Sequence, residues 1–96
     1  RIINVASISG RLGTARLVSY CAAKHGVVGF TRALAEEVRD VGLQVNAICP
    51  GSVDTDMLVG SGFPARMQGD DVAGVALYLA TTAPTAMTGA CIDVFG

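Results

Sequence analysis

An α/β fold with a parallel sheet, of the doubly wound kind, is the architecture this 96-residue chain predicts. Three observations lead to it. Strand-like and helix-like runs alternate as strand, helix, strand, helix, strand, the pattern that places helices on a parallel sheet. The first strand sets Ile2 beside Ile3, apolar towards both faces, as a strand covered on both sides requires. Hydrophobic residues make up 51% of the chain and charged residues 16%, so there is apolar surface enough for one small domain.

The elements follow in order. Arg1-Ile2-Ile3-Asn4-Val5-Ala6 is short and rich in β-branched residues, and reads as a strand. Ser7 to Thr14 holds serines and glycines and reads as a loop. A helix is expected from about Val18 to Val41, with Val27, Phe30, Leu34, Val38 and Val41 as its core-facing stripe and Gly42 as its stop. Ser19 either caps this helix or falls in its first turn. Leu43 to Cys49 is the second strand, ended by Pro50-Gly51 because proline cannot continue a ladder. Ser52 to about Met67 reads as a mobile loop with one helical turn near Met57-Leu58. Gly69-Asp70-Asp71 opens a second helix, its aspartates at the positive end and Val72, Val75, Ala76 and Leu79 on its apolar face. Thr81 to Gly89 is a loop, and Ala90 to Val94 the third strand.

Composition narrows the function classes. The net charge of −1 and the lack of a basic run give no case for nucleic acid or an anionic membrane. No apolar stretch approaches the roughly 18 residues of a membrane span, and the chain begins on a strand-like run, not a secretory signal. Cys21, Cys49 and Cys91 are too far apart for a zinc site and odd in number for a disulfide framework. With His25 the sole histidine, no metal centre is expected, and reduced thiols point to the cytoplasm.

Ligands of open parallel sheets bind outside the carboxyl ends of the strands. Ser7 follows the first strand, Pro50-Gly51 follows the second, and Tyr20 and Lys24 lie near the start of the helix that leaves this same edge. Tyr20 and Lys24 are four residues apart, on one face of a helix. A phenol ionises near pH ~10 in water, and an ammonium beside it favours the phenolate, bringing it towards the range of a general acid or base. His25, one position on, turns away from that face and reads as helix surface. Cys21 reads as a small packing residue, and Asp54 with Asp56 lack the further ligands a metal needs.

Three strands alone would leave the first with an unprotected apolar edge. The sequence also has no glycine cluster of the kind that follows a strand and cradles phosphates. The expectation is therefore that residues 1–96 are the second half of one larger domain, the half that would carry such a cluster lying outside the chain.

In this setting the residues resemble the carboxyl-terminal half of the classical short-chain dehydrogenase/reductase family, along essentially the whole chain. Asn4-Val5-Ala6-Ser7 is similar to the strand with the family's catalytic serine, and Tyr20-x-x-x-Lys24 follows Ser7 by thirteen residues. Val45-Asn46-Ala47-Ile48-Cys49-Pro50-Gly51-Ser52-Val53-Asp54-Thr55 resembles the family's VNxxxPGxVxT segment. Asp70-Asp71-Val72-Ala73 and Thr88-Gly89 are similar to its late helix and last strand. Phe95 stands where many relatives have aspartate, and the loop from Asp56 to Met67 is short beside many of theirs.

The resemblance implies a Rossmann-type sheet and an NAD- or NADP-dependent oxidoreductase interconverting a carbonyl and a secondary alcohol. It implies Tyr20 as general acid or base, Lys24 as the cation that lowers its pKa and bonds the nicotinamide ribose, and Ser7 as holder of the substrate oxygen. Pro50, Gly51, Val53 and Thr55 would line the nicotinamide, and Ser7, Leu12, Gly13, Met57 and Leu58 the substrate. The run from Ala23 to Thr31 resembles ketoacyl reductases, so a 3-oxoacyl thioester leads among substrates; a sugar, a steroid or another secondary alcohol remains open. A homodimer or homotetramer through the first helix, with Ala33, Ala35 and Val38 allowing close packing, is also implied. The alternatives are a non-catalytic nucleotide sensor and a structural fragment of such a fold.

Overall fold

The computed structural model describes residues 1–96. Strand β1 (Ile2–Val5), helix α1 (Val18–Glu37), strand β2 (Val45–Pro50), helix α2 (Gly69–Thr81) and strand β3 (Cys91–Val94) follow one another, with short 3-10 turns at Ile8–Gly10, Arg39–Val41 and Asp56–Leu58. The strands form one sheet in the order β1-β2-β3, parallel throughout. Neighbouring residues of β2 point to opposite faces. Cys49 packs with Ala6 and with Val28 of α1, whereas Ile48 packs with Leu79 of α2 and, less deeply, Ile3. The sheet is thus covered by α1 on one side and α2 on the other, and every residue of β2 is buried. Burying Ile48 and Leu79 completely contributes roughly 1.5–3 kcal/mol each.

Polar groups set the register of these layers. Asn4 on β1 donates from Nδ2 to Thr31 Oγ1 at 3.0 Å, and Thr31, fully buried, donates in turn to the Val27 carbonyl at 2.8 Å. Asn46, buried on the α2 face, donates to the Met87 carbonyl and accepts from the Ala90 N–H, both at 3.0 Å. It fixes the approach to β3. The Asp71 carboxylate accepts from the Gln68 N–H at 2.8 Å and closes the start of α2.

Three expectations are corrected. First, α1 ends at Glu37 and the chain runs through Val38 into a 3-10 turn before Gly42, at φ 78°, stops it. Second, the buried residues of α1 are Val28, Thr31 and Ala35, while Phe30 and Val41 are 59% and 72% exposed. The Asn4–Thr31 bond fixes the rotation of the helix, and Val28 and Ala35 are small enough for close approach to the sheet. Ala35, open to reading either as part of an oligomer surface or as part of the inner face, is inward. Third, Pro50 belongs to β2 and stands opposite Val94. Ala47 and Gly51 donate to the β3-side carbonyls of Ala90 and Val94, so the alternate position 50 would donate towards β1, which has ended at Val5. The missing proline N–H costs no ladder bond there.

Candidate functional site

The carboxyl ends of β1 and β2 open into a cleft of about 800 Å³. One wall is the segment after β1, the second is the start of α1, and the third is the segment after β2. The convergence expected at this edge is present: Ser7, Tyr20, Lys24, Pro50, Gly51, Val53 and Thr55 all line the cleft. Leu12, Met57 and Leu58 line it too. Gly13 does not; it lies at the outer tip of its loop, with open space where a side chain would project.

Ser7 is buried and extended, at φ −171°, just ahead of the Ile8–Gly10 turn. Its Oγ accepts from the Ser9 N–H at 3.0 Å. That bond orients the hydroxyl and leaves its own proton to donate to a ligand oxygen. Gly10 allows the turn to lie against α1. A Cβ there would come within 2.8 Å of the Lys24 carbonyl and 2.9 Å of Val28 Cγ2.

Lys24 crosses from α1 back to β1 and donates from Nζ to the Val5 carbonyl at 3.2 Å. Its ammonium stands 5.7 Å from the centre of the Tyr20 ring, within reach of a cation–π contact. The helical spacing of the pair therefore brings the cation over the ring face. An ammonium has three donors, and the Val5 carbonyl takes one of them. The others are available to a polar ligand in the cleft. Tyr20 is half-exposed and makes no hydrogen bond through its hydroxyl to another side chain or to the backbone.

Beyond β2, Gly51 lies against Phe95, the residue just past β3, a Cβ at its position falling 3.2 Å from the Phe95 carbonyl. The segment from Ser52 leaves and returns through a single parallel bridge between Val53 and Met67, with Asp54 N–H donating to the Met67 carbonyl and Arg66 N–H to the Ser52 carbonyl, both at 2.9 Å. The helical turn expected near Met57-Leu58 is the 3-10 turn Asp56–Leu58, and the Thr55 side chain ahead of it makes no capping bond. Its hydroxyl is unengaged at the cleft wall.

Sequence reasoning missed several contributors. The backbone N–H of Ser9 holds the Ser7 hydroxyl; the signal for it was Ser7 itself, a residue type that caps the N–H two positions on. Leu17 and Phe63 complete the apolar walls. Arg11, at the end of the Ile8–Gly10 turn, reaches across to β3, bonding the Asp93 carboxylate at 3.0 Å and the Cys91 carbonyl. Beneath it the Cys49 thiol is raised above its ordinary pKa by burial, with the Arg11 charge opposing. The thiol is neutral and plays a packing part. His25 is exposed, its Nδ1 against the Cys21 carbonyl at 2.8 Å, away from the cleft.

Comparison with known proteins gives this cleft a context. A 3-oxoacyl-(acyl-carrier-protein) reductase of Pseudomonas aeruginosa is 41% identical over the whole chain, which covers 44% of that protein. Among solved structures, a 4-hydroxyisoleucine dehydrogenase complexed with NADH superposes with a TM-score of 0.87 at 28% identity, and ElxO with NADP bound with 0.87 at 27%. Each alignment covers 99% of this chain and 44% of the other. The chain thus spans less than half the length of the relatives it matches. The sequence profile described as short chain dehydrogenase matches residues 1–62, a stretch that holds Ser7, Tyr20, Lys24 and the Pro50–Thr55 segment. With that match and the full-length alignment to the reductase, the chain belongs to the short-chain dehydrogenase family.

Proposed function

We propose that the protein carrying this chain is a nicotinamide-dependent oxidoreductase that interconverts a carbonyl and a secondary alcohol. The observation that carries the reading is that one cleft, at the carboxyl ends of two parallel strands, collects a phenol, an ammonium over its ring, an oriented serine hydroxyl and the Pro50–Thr55 wall. In the direction of reduction, Ser7 donates a hydrogen bond to the substrate oxygen, polarising the carbonyl, and Tyr20 Oη gives that oxygen its proton. In the reverse direction Tyr20 takes the proton back. Lys24, anchored by the Val5 carbonyl, holds positive charge beside the phenol and offers its remaining donors to a ribose hydroxyl.

The donor set fits the nicotinamide riboside end of NAD or NADP: two free ammonium donors, the unengaged Thr55 hydroxyl, and the apolar Pro50 and Val53 for the ring face. When bound, the nicotinamide supplies or accepts the hydride. The chain has no glycine-rich phosphate cradle of its own. We accordingly read it as the carboxyl-terminal half of a single domain, a reading supported by the 44% of each relative that it covers. A 3-oxoacyl thioester is the leading substrate, on the strength of the likeness to the Pseudomonas reductase. Self-association as a dimer or tetramer is supported by Ala23, Gly26, Phe30 and Ala33, exposed along one face of α1.

The test is Tyr20→Phe in the full-length protein. Hydride transfer should fall at least about a thousandfold, within the range a lost acid–base group can cost, while NAD(P)H binding followed by fluorescence stays within about twofold. Unchanged turnover would sink the mechanism. Tight cofactor binding with no turnover of any ketone or alcohol in the unmodified protein would favour a nucleotide sensor instead.

A further inference from the structure

Ser7 and Arg11 are the two ends of one hydrogen-bonded turn. The Gly10 N–H donates to the Ser7 carbonyl at 2.9 Å, and the Arg11 and Leu12 N–H groups donate to the Ile8 carbonyl at 2.9 and 3.0 Å. With the Ser9 N–H on Ser7 Oγ, these bonds make residues 7–12 a unit that moves together. Its entry is fixed, because the Ala6 N–H donates to the Ile48 carbonyl at 2.8 Å and ties the end of β1 to β2. One flank rests on α1, where Gly10 lies against the Lys24 carbonyl and Val28. A glycine contact of that kind sets a distance from the helix but not a position along it. The exit is held by Arg11, whose guanidinium bonds the Asp93 carboxylate at 3.0 Å and the Cys91 carbonyl, both on β3. Among the side chains of residues 8–12, it alone makes hydrogen bonds beyond the turn. Asp93 stands opposite Cys49, which packs towards α1, so the carboxylate faces the layer in which the turn lies.

From this we infer that Arg11, fastened to Asp93 and Cys91, is a positioning residue: it sets where the Ser7 hydroxyl stands relative to Tyr20. It does so from outside the cleft, which it does not line. The inference rests on the carbonyl–alcohol reading of the cleft and adds the device that aims one of its groups. A planar guanidinium carries its donors in a fixed fork, so it serves two acceptors on one strand and fixes a direction as well as a distance. Ser7 Oγ must meet the same substrate oxygen that Tyr20 protonates. A displacement near 1 Å in such a group costs up to about a hundredfold in rate. Tyr20 and Lys24 ride on α1, and the Lys24 ammonium is anchored at the Val5 carbonyl, so neither depends on Arg11 for its place. The loss on cutting the tether therefore falls on the step that Ser7 serves and spares cofactor binding.

The experiment is a double-mutant cycle in the full-length protein, with NAD(P)H and three carbonyl probes: acetoacetyl-coenzyme A, 2-butanone and cyclohexanone. Arg11→Met should lower kcat about ten- to a hundredfold. NAD(P)H binding followed by fluorescence should stay within about twofold. In the Ser7→Ala background, where no hydroxyl remains to be aimed, the same substitution should cost less than about threefold. A general weakening of the fold would lower both backgrounds alike. Asp93→Leu should reproduce the loss, and Asp93→Asn, which keeps an acceptor, should recover most of it. If Arg11→Met does not fold, Arg11→Lys, which keeps the charge but not the fork, takes its place in the same cycle. An equal fall in both backgrounds, or no fall with Ser7 present, overturns the positioning role and leaves the carbonyl chemistry standing. Turnover of none of the three probes, by a protein shown to bind NAD(P)H, overturns both.

Discussion

Arg11 and Asp93, 82 residues apart, are joined by a 3.0 Å bond from the guanidinium Nε to Oδ1. The second arm of Arg11 reaches the Cys91 carbonyl. One side chain thereby fastens the segment that carries Ser7 to the far strand of the sheet. Asp93 is half exposed, so solvent screening keeps the charge pair modest. Arg11→Met should cost about 1–2 kcal/mol in urea unfolding, through loss of both bonds. Asp93→Asn, which keeps an acceptor, should cost less than about 1 kcal/mol.

Two glycines should respond in opposite ways to alanine. At Gly10 a methyl group meets backbone at 2.8 Å and Val28 at 2.9 Å, so the Ile8–Gly10 turn must move away from α1. We expect a loss of about 1–3 kcal/mol and a drop in turnover, as Ser7 shifts relative to Tyr20. At Gly29, exposed within α1, a methyl group meets nothing. Alanine there should add about 0.5–1 kcal/mol. Thermal unfolding of the two variants side by side checks both signs.

Thr31 is the hinge pin between β1 and α1. Thr31→Val preserves shape but removes the acceptor of the Asn4 amide, leaving a half-buried donor without its partner. The expected cost is about 1–3 kcal/mol by denaturant titration. If valine were tolerated without loss, the bond would not be what sets the rotation of α1.

Cys49 gives the protein a weakness in alkali. Burial favours the neutral thiol, raising its folded pKa above the value of about 8.5 in an unfolded chain. A raised pKa means the group's contribution is complete below about pH 8.5 and is lost as pH rises through the folded value. Unfolding midpoints measured at pH 7.5 and pH 9.5 should therefore fall further for the unmodified protein than for Cys49→Ala. Equal falls would show that other groups govern the alkaline limit.

The sheet, its two helices and the cleft edge were legible because they depend on patterns that local sequence carries: β-branched runs, helical periodicity, a serine- and glycine-rich stretch after the first strand and Pro50-Gly51 at the end of the second. The Ser7, Tyr20, Lys24 and Pro50–Gly51 convergence needed only the topology of a parallel sheet. The rotation of α1 was not legible. Phe30 outranks Thr31 on any hydrophobic scale, yet Thr31 is inside because the Asn4 amide, 27 residues away, donates to its hydroxyl. Arg11 was invisible for the same reason. A charged residue in a glycine-rich loop looks solvated until the strand opposite it is in place. Pro50 was judged by its missing donor alone, and only the pairing of β2 shows that no acceptor waited for it.

The bridge between Val53 and Met67 has a further consequence. It closes the segment from Asp54 to Arg66 into a loop whose two feet stand side by side, next to β2 and the start of α2. Such a loop is a cassette. Residues can be added, removed or exchanged within it while the strand below and the helix beyond keep their places. A graft of residues 57–66 that keeps Thr55 should therefore leave Tyr20 and Lys24 in place while the outer rim of the cleft changes.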